Sequence, residues 1–328
     1  MSRHPEVDLA GVTLLSVKDR ATKVGVEQFG RAPTADDGAA ATRLIDGLPD
    51  VLAGRVLREV VEAVVASHTA GRPVVLLAGA HVVKVGVQPF LVPLIERGVV
   101  THVGLHGAGA IHDVEVALFG TTSEDVQANL ARGAFGMVRE TPEFFHAAAA
   151  AGRARGEGLG EALGRALAEA AAPHAGISLL AAAWRSGIPA TVHVALGTDT
   201  IHTHPAASGA DLGETSLRDF RILAHTLLEA RGATVLNLGS AVILPEVFLK
   251  ALTVAVNLGA SLADLTTVNV DQLQHYRTRM NVLERPTRAA GARGLSLTGH
   301  HEILLPLLAQ AVLARVPEAQ PRESSRRS

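Results

Sequence analysis

The 328-residue chain contains no cysteine. This excludes disulfides, thiolate-bound zinc and a cysteine nucleophile, and it fits a reducing, cytoplasmic setting. Aromatic residues amount to 3%, with a single Trp and a single Tyr, which argues against stacking platforms for single-stranded nucleic acid. Charged residues are only 19% and almost cancel, leaving a net −2. No general field therefore draws the chain to nucleic acid or to an acidic membrane surface. No uncharged apolar run reaches the roughly 18 residues of a membrane span, and the nearest candidate, ILLPLLAQAVLA at 303–314, reads as a buried terminal helix. The opening MSRHPEVDLAGV has no apolar core of signal-peptide type.

What is present is a chain 48% apolar and long enough to bury a sizeable core. Beyond residue 70, strand-like and helix-like segments alternate. RPVVLLAGA (72–80) is a continuous apolar run of strand length, followed by a helix over 87–98; VVTHVGLHGAG (99–109) is a strand entering a Gly-rich turn, with a helix over 111–120 behind it. The pattern continues as a helix at 178–187, a strand at 188–197, a helix at 216–232 capped by Ser216, and a strand at 233–239. A helix at 243–259 and a strand at 265–270 complete it. Strands that read as apolar runs belong in a parallel sheet covered on both faces. The expected fold is therefore α/β: a doubly wound, mainly parallel Rossmann-like sheet with helices on both faces and ligands at the carboxyl ends of the strands. The expected organisation is an N-terminal segment, 1–70, whose helices pack on the core, and a single domain over 71–316. That domain includes a helical excursion at 141–175, rich in Ala, Gly and Arg, and a polar, disordered tail follows at 317–328.

The chemistry-bearing stretches gather at those strand ends. In HGAGAIHD, glycines at 107 and 109 would let backbone approach a pyrophosphate at a helix start; equally, they could serve turn geometry alone. GTDTIHTHP (197–205) admits three readings. His202 and His204 could ligate a metal with Asp199, a histidine could relay protons while Asp199 orients a ligand, or the polar groups could simply hold the loop. GHHEILLPLL (299–308) brings His300, His301 and Glu302 to the start of an apolar helix. The segment 275–294 carries five arginines and one acid, so His275, Arg277 and Arg285 are candidates for gripping an anion. Lys84 stands alone in an apolar setting.

The order and spacing of these segments resemble the deoxyhypusine synthase family over roughly residues 70–310. LHGAGAIHD is similar to the family's T-T-A-G-G-x-E-E-D turn, ALGTDT (195–200) to A-L-T-D-G, NLGSAVI (237–243) to L-G-G-G-V-V, and VNVDQ (268–272) to I-N-T-A-Q. The resemblance implies a Rossmann-like homotetramer that binds NAD at His106, Gly107, Ala108, Gly109, Asp199, Gly239 and Ser240, with sites at subunit contacts. The family's imine-forming lysine, in W-G-K, is matched here by Thr298-Gly299-His300, and the lysine after G-G-G-V-V by Leu244. A histidine cannot form that imine, and a loop rich in His and Arg does not suit a polycation. The expectation is an NAD-dependent transferase- or oxidoreductase-like enzyme that does not make deoxyhypusine. It would act on a small amine- or hydroxyl-bearing, anionic metabolite, with His202, His204 or His300 as proton acceptor. A His-cluster metal hydrolase or lyase and a non-catalytic nucleotide-binding protein are the alternatives.

Overall fold

The computed structural model describes residues 6–317, so the tail expected over 317–328 lies outside the described residues from 318 onward. The N-terminal part contains β1 (Thr22–Gly25), α1 (Ala35–Asp46) and α2 (Leu52–Thr69). Next come β2 (Val74–Ala78), α3 (Ala80–Lys84), α4 (Gln88–Glu96), β3 (His102–His106), α5 (Gly107–Phe119), β4 (Thr121–Glu124) and α6 (Val126–Leu130). The excursion is α7 (Glu140–Arg155) and α8 (Leu159–Glu169), followed by α9 (Leu179–Ser186), β5 (Ala190–His193) and α10 (Gly209–Thr226). The chain closes with β6 (Thr234–Leu238), α11 (Ile243–Asn257), β7 (Thr266–Asp271), α12 (Tyr276–Thr278), β8 (Arg293–Thr298) and α13 (His301–Arg315).

Six strands form one sheet in the order β5-β3-β2-β6-β7-β8, every neighbouring pair parallel. Counted along the chain, this is the 3-2-1-4-5-6 order of dinucleotide-binding folds, with the reversal of direction between β2 and β6. Parallel crossovers are right-handed, so a reversal of direction moves the connecting helices to the other face. Alternate residues of β2 serve the two faces accordingly. Val74, Leu76 and Ala78 join the cluster with α4, α5, α9 and α13, whereas Val75 and Leu77 join that with α10 and α11. All five are fully buried, and each large one stabilises the fold by about 1.5–3 kcal/mol. The apolar run of 303–314 is α13, packed on α1, α2 and α4. Among the described residues no helix is long and apolar enough to cross a membrane.

Three sequence readings shift. The helix assigned to 216–232 begins at Gly209 and is capped by Ser208, whose hydroxyl accepts from Asp211 N–H. Ser216 instead clamps β5, donating to the Val192 carbonyl and accepting from Val194 N–H. The Gly-rich turn at 107–109 is the first turn of α5 itself. The arginine-rich loop ends in a sixth strand, β8, whose alternating exposed and buried residues mark it as a sheet edge.

Two buried carboxylates tie helix starts to the core, Asp113 that of α9 and Asp219 that of α8 in the excursion. Asp113, on α5, accepts from the Ser178 hydroxyl and from the amides of Leu179 and Leu180 at the start of α9. Asp219, on α10, accepts from the amides of Gly160 and Val192, tying α8 to β5. Burial pushes Asp113 up to about 6 against the pull of those donors, and pushes Asp219 well above the ordinary aspartate range. Both serve helix starts, whose free N–H groups would otherwise be buried unpaired.

Candidate active site at the strand ends

At the point of reversal the backbone turns after β2 and β6 press together. Gly79 N–H donates to the Leu238 carbonyl, and a Cβ on Gly79 would fall 2.2 Å from the Gly239 carbonyl oxygen. His106, at the end of β3, accepts from Ala80 N–H through Nε2 at 3.1 Å, so its proton sits on Nδ1 and its ring braces the start of α3. Ser240 accepts from Leu244 N–H and serves the start of α11. Beside it Asn237 donates to Asn269, which donates to the exposed Gln274, an amide ladder that ties the turns after β6 and β7.

The loop GTDTIHTHP folds back over the start of α5. Asp199 is 8% exposed, and its Oδ2 is buried without a hydrogen-bond partner. A Cβ on Gly107 would fall 2.0 Å from that oxygen, so glycine is needed there for the carboxylate to lie on the helix start. Burial pushes Asp199 up to about 6, with the Ala108 amide and the Thr198 hydroxyl pulling against it. An orphaned acceptor at this position suits a ligand hydroxyl donor.

Next to Asp199 opens a cavity of ≈ 220 Å³, whose polar walls include Arg20, Lys84, His112, Glu115 and Thr200. Inside it runs a relay that fixes a tautomer. The Thr122 hydroxyl donates to Glu115 Oε2 at 2.6 Å, and with its one proton so used it must accept from His112 Nδ1, also at 2.6 Å. His112 Nε2 is then an unprotonated acceptor. Burial holds the ring down at about 4, so it is neutral near pH 7.

The residues nominated from sequence divide among three places. His106, Gly107, Ala108, Gly109 and Asp199 gather at the start of α5, and Ala108 and Asp199 line the cavity. His202 and His204 adjoin Asp199, but each ring is committed. His202 Nδ1 accepts from the amides of Gly197 and Asp199, and His204 Nδ1 from that of Ala206. In the neutral ring this leaves the proton on Nε2, so neither offers a lone pair as proton acceptor or metal ligand without first losing that contact or that proton. Their nearest histidine is His146, which stacks on His204 and hydrogen-bonds the Ile201 carbonyl. Among the described residues no group of three or more His, Asp or Glu is placed to hold a metal ion.

The second place is the far side of the reversal. His301 is buried against Gly239, bonds the Val270 carbonyl and contacts the ring of His81. His300 is exposed there, 3.5 Å from Glu302. The third is the surface beside α11, where Arg277 pairs with Glu246, Arg285 bonds Asn281 and His275 is exposed. Those arginines face Glu246 and Asn281 rather than the cavity.

Reasoning from sequence nominated none of Arg20, His112, Glu115 and Thr122 as site residues. One signal was available: His112, Asp113 and Glu115 are three ionisable residues inside IHDVEVALF, a helix otherwise apolar enough to be buried. Arg20 lies in a segment of no recognisable pattern, and only the tertiary fold brings it to α5.

No protein-family model matches the chain, and the curated proteins contain no match. Among solved structures, the chain is similar to a LOR/SDH protein from Methanococcus maripaludis S2, with 16% identity over 95% of this chain and 74% of that one and a TM-score of 0.48. It is similar to a candidate deoxyhypusine synthase from Entamoeba histolytica, with 12% identity over 87% and 97% and a TM-score of 0.46. It is also similar to AgrE, in a complex with ornithine and NAD+, with 16% identity over 86% of this chain and a TM-score of 0.44. The chain spans 34% of the length of that AgrE chain. These are distant likenesses, and the fold assignment rests on this chain's own strand order.

Proposed function

We propose that the protein is an NAD-dependent enzyme that oxidises a small amine- or hydroxyl-bearing, anionic metabolite and does not make deoxyhypusine. The observation that carries this reading is Asp199: a buried carboxylate oxygen without a partner, held over a glycine helix start, in a sheet of dinucleotide-binding strand order. The residues present fit such a cofactor. Asp199 would accept from one of its hydroxyls, at the carboxyl ends of the strands where such folds bind dinucleotides. NAD, when bound, would supply the hydride acceptor.

The chain's own residues handle the proton. His112 Nε2 takes it from the substrate's O–H or N–H, leaving a C=O or C=N bond. The charge that develops on the ring is balanced through Nδ1–H, Thr122 and Glu115. In this reading His112 replaces His202, His204 and His300 as the acceptor, because its free nitrogen belongs to a ring that lines the cavity. The exposed apolar residues Leu196, Val242, Leu273, Tyr276 and Ile303 all follow strand ends, which suits a homo-oligomer with sites near subunit contacts.

Calorimetry with NAD and NADP tests the reading. Binding to the wild type that is lost in Asp199→Ala is expected; no binding of either nucleotide refutes it. Binding without turnover across hydroxy and amino acids would leave a nucleotide sensor instead. A spermidine cleavage assay is expected to be negative, and detectable aminobutyl transfer would overturn the argument from the missing lysine.

A further inference from the structure

Of the acids lining the cavity beside α5, Glu115 and Glu124 are satisfied and Asp199 keeps one partnerless oxygen, while of its cations Arg20 is paired through Nη1 alone and Lys84 not at all. Glu115 is ion-paired with Arg20 Nη1 at 2.8 Å and accepts hydrogen bonds from Thr122 at 2.6 Å and from Thr141 at 3.2 Å. Glu124 accepts from Asn129 and from Gly136 N–H. The Arg20 side chain is 5% exposed, yet its Nε and Nη2 are buried with no hydrogen-bond partner. These two nitrogens form one edge of the guanidinium, with parallel N–H groups spaced to meet the two oxygens of a carboxylate. Lys84, half-buried at the end of α3, lines the same cavity and makes no hydrogen bond or ion pair within the described residues. Leaving a buried guanidinium edge and a nearby ammonium unpaired is costly, and a ligand anion would relieve both.

We propose that this cavity binds the carboxylate of a small metabolite, with the Nε/Nη2 edge of Arg20 as its bidentate partner and Lys84 as the second cation. Calling that metabolite the substrate rests on the function proposed above; the anion site itself does not. A monoanion suits the cavity better than a phosphate dianion, because Glu115, Glu124 and Asp199 stand around it. The same arrangement places the group attached to the carboxylate among His112 and Asp199. This favours 2-hydroxy or 2-amino acids, in which the reacting C–H lies one bond from the carboxylate.

The probes are ¹³C-acetate and inorganic phosphate, titrated by NMR into the full chain in its wild-type, Lys84→Met and Arg20→Lys forms. Acetate is expected to bind the wild type in preference to phosphate. Each variant should bind it about tenfold more weakly, with the melting temperature of Lys84→Met unchanged because the Lys84 ammonium pairs with nothing in the described fold. Arg20→Lys keeps the charge toward Glu115 and removes the fork, so its loss separates geometry from charge. The inference is overturned by absence of acetate binding, by equal binding in wild type and Lys84→Met, or by preference for phosphate. Calorimetry of NAD on the same samples keeps the two readings apart: variant-sensitive acetate binding without NAD binding sinks the cofactor reading and leaves the anion site standing.

Discussion

Replacing Asp199 by asparagine should make the unliganded protein more stable and, on the function proposed above, less able to bind NAD. In the fold Asp199 titrates at about 6, against 3.8 for an ordinary aspartate, because burial disfavours its charge. The folded state therefore holds its proton more tightly than the unfolded chain does. The sign follows from linkage: stability falls as pH rises from about 4 through about 6, and is level above that. The gap between the two values is worth about 3 kcal/mol at neutral pH. An asparagine side chain at this position would be nearly isosteric and carry no charge, so it escapes that cost. Thermal unfolding should show Asp199→Asn melting about 5 °C above the wild type at pH 7.5, the difference shrinking toward zero near pH 4. A difference that is absent, reversed or independent of pH would refute the assignment of a strained, buried carboxylate. Under the same reasoning the wild type should lose NAD affinity as pH falls through about 6, because the accepting carboxylate becomes protonated.

Three further outcomes follow from named contacts. His112→Gln and Thr122→Val should each lower kcat by roughly 100-fold or more while leaving NAD affinity unchanged; unchanged turnover in steady-state assays would remove the relay from the mechanism. Asp113→Ala should destabilise the fold by about 3–5 kcal/mol in urea unfolding, since three donors at the start of α9 are left buried without an acceptor. Gly107→Ala should cost NAD affinity as much as Asp199→Ala does, because the added methyl would displace the Asp199 carboxylate; calorimetry showing wild-type affinity would argue that the two groups do not act together.

Most of the sheet was legible because parallel strands buried on both faces are short, mainly apolar segments between helices: β2 is an unbroken apolar run, and β3, β6 and β7 keep that character although His102, Asn237, Thr267 and Asn269 are buried within them. β8 was not legible: RGLSLT is an edge strand with one exposed face, embedded in arginines that read as a solvated loop. The start of α10 was missed because GADLGETS, running up to Ser216, has two glycines and little apolar period, so the helix depends on packing and on the Ser208 cap. For the site, Asp199 could be singled out by its place after a strand, but the partners of His202 and His204 could not. Whether a histidine offers a lone pair depends on which backbone amide meets the other ring nitrogen, and that is decided only by the course of the loop.

By itself, then, the sequence determined the class of the fold and the absence of a lysine at Thr298-Gly299-His300, and it pointed to the strand ends as the place to look for a ligand. These follow from local pattern and from the presence or absence of a side chain. The tertiary structure decided which charges meet. It carried Arg20 from the N-terminal segment to Glu115 on α5, sent Arg277 away to Glu246, and aligned Glu115, Thr122 and His112 into one chain of hydrogen bonds. Pairing of that kind depends on distances of a few ångströms between residues that can lie far apart in the chain, and no local pattern along it encodes them.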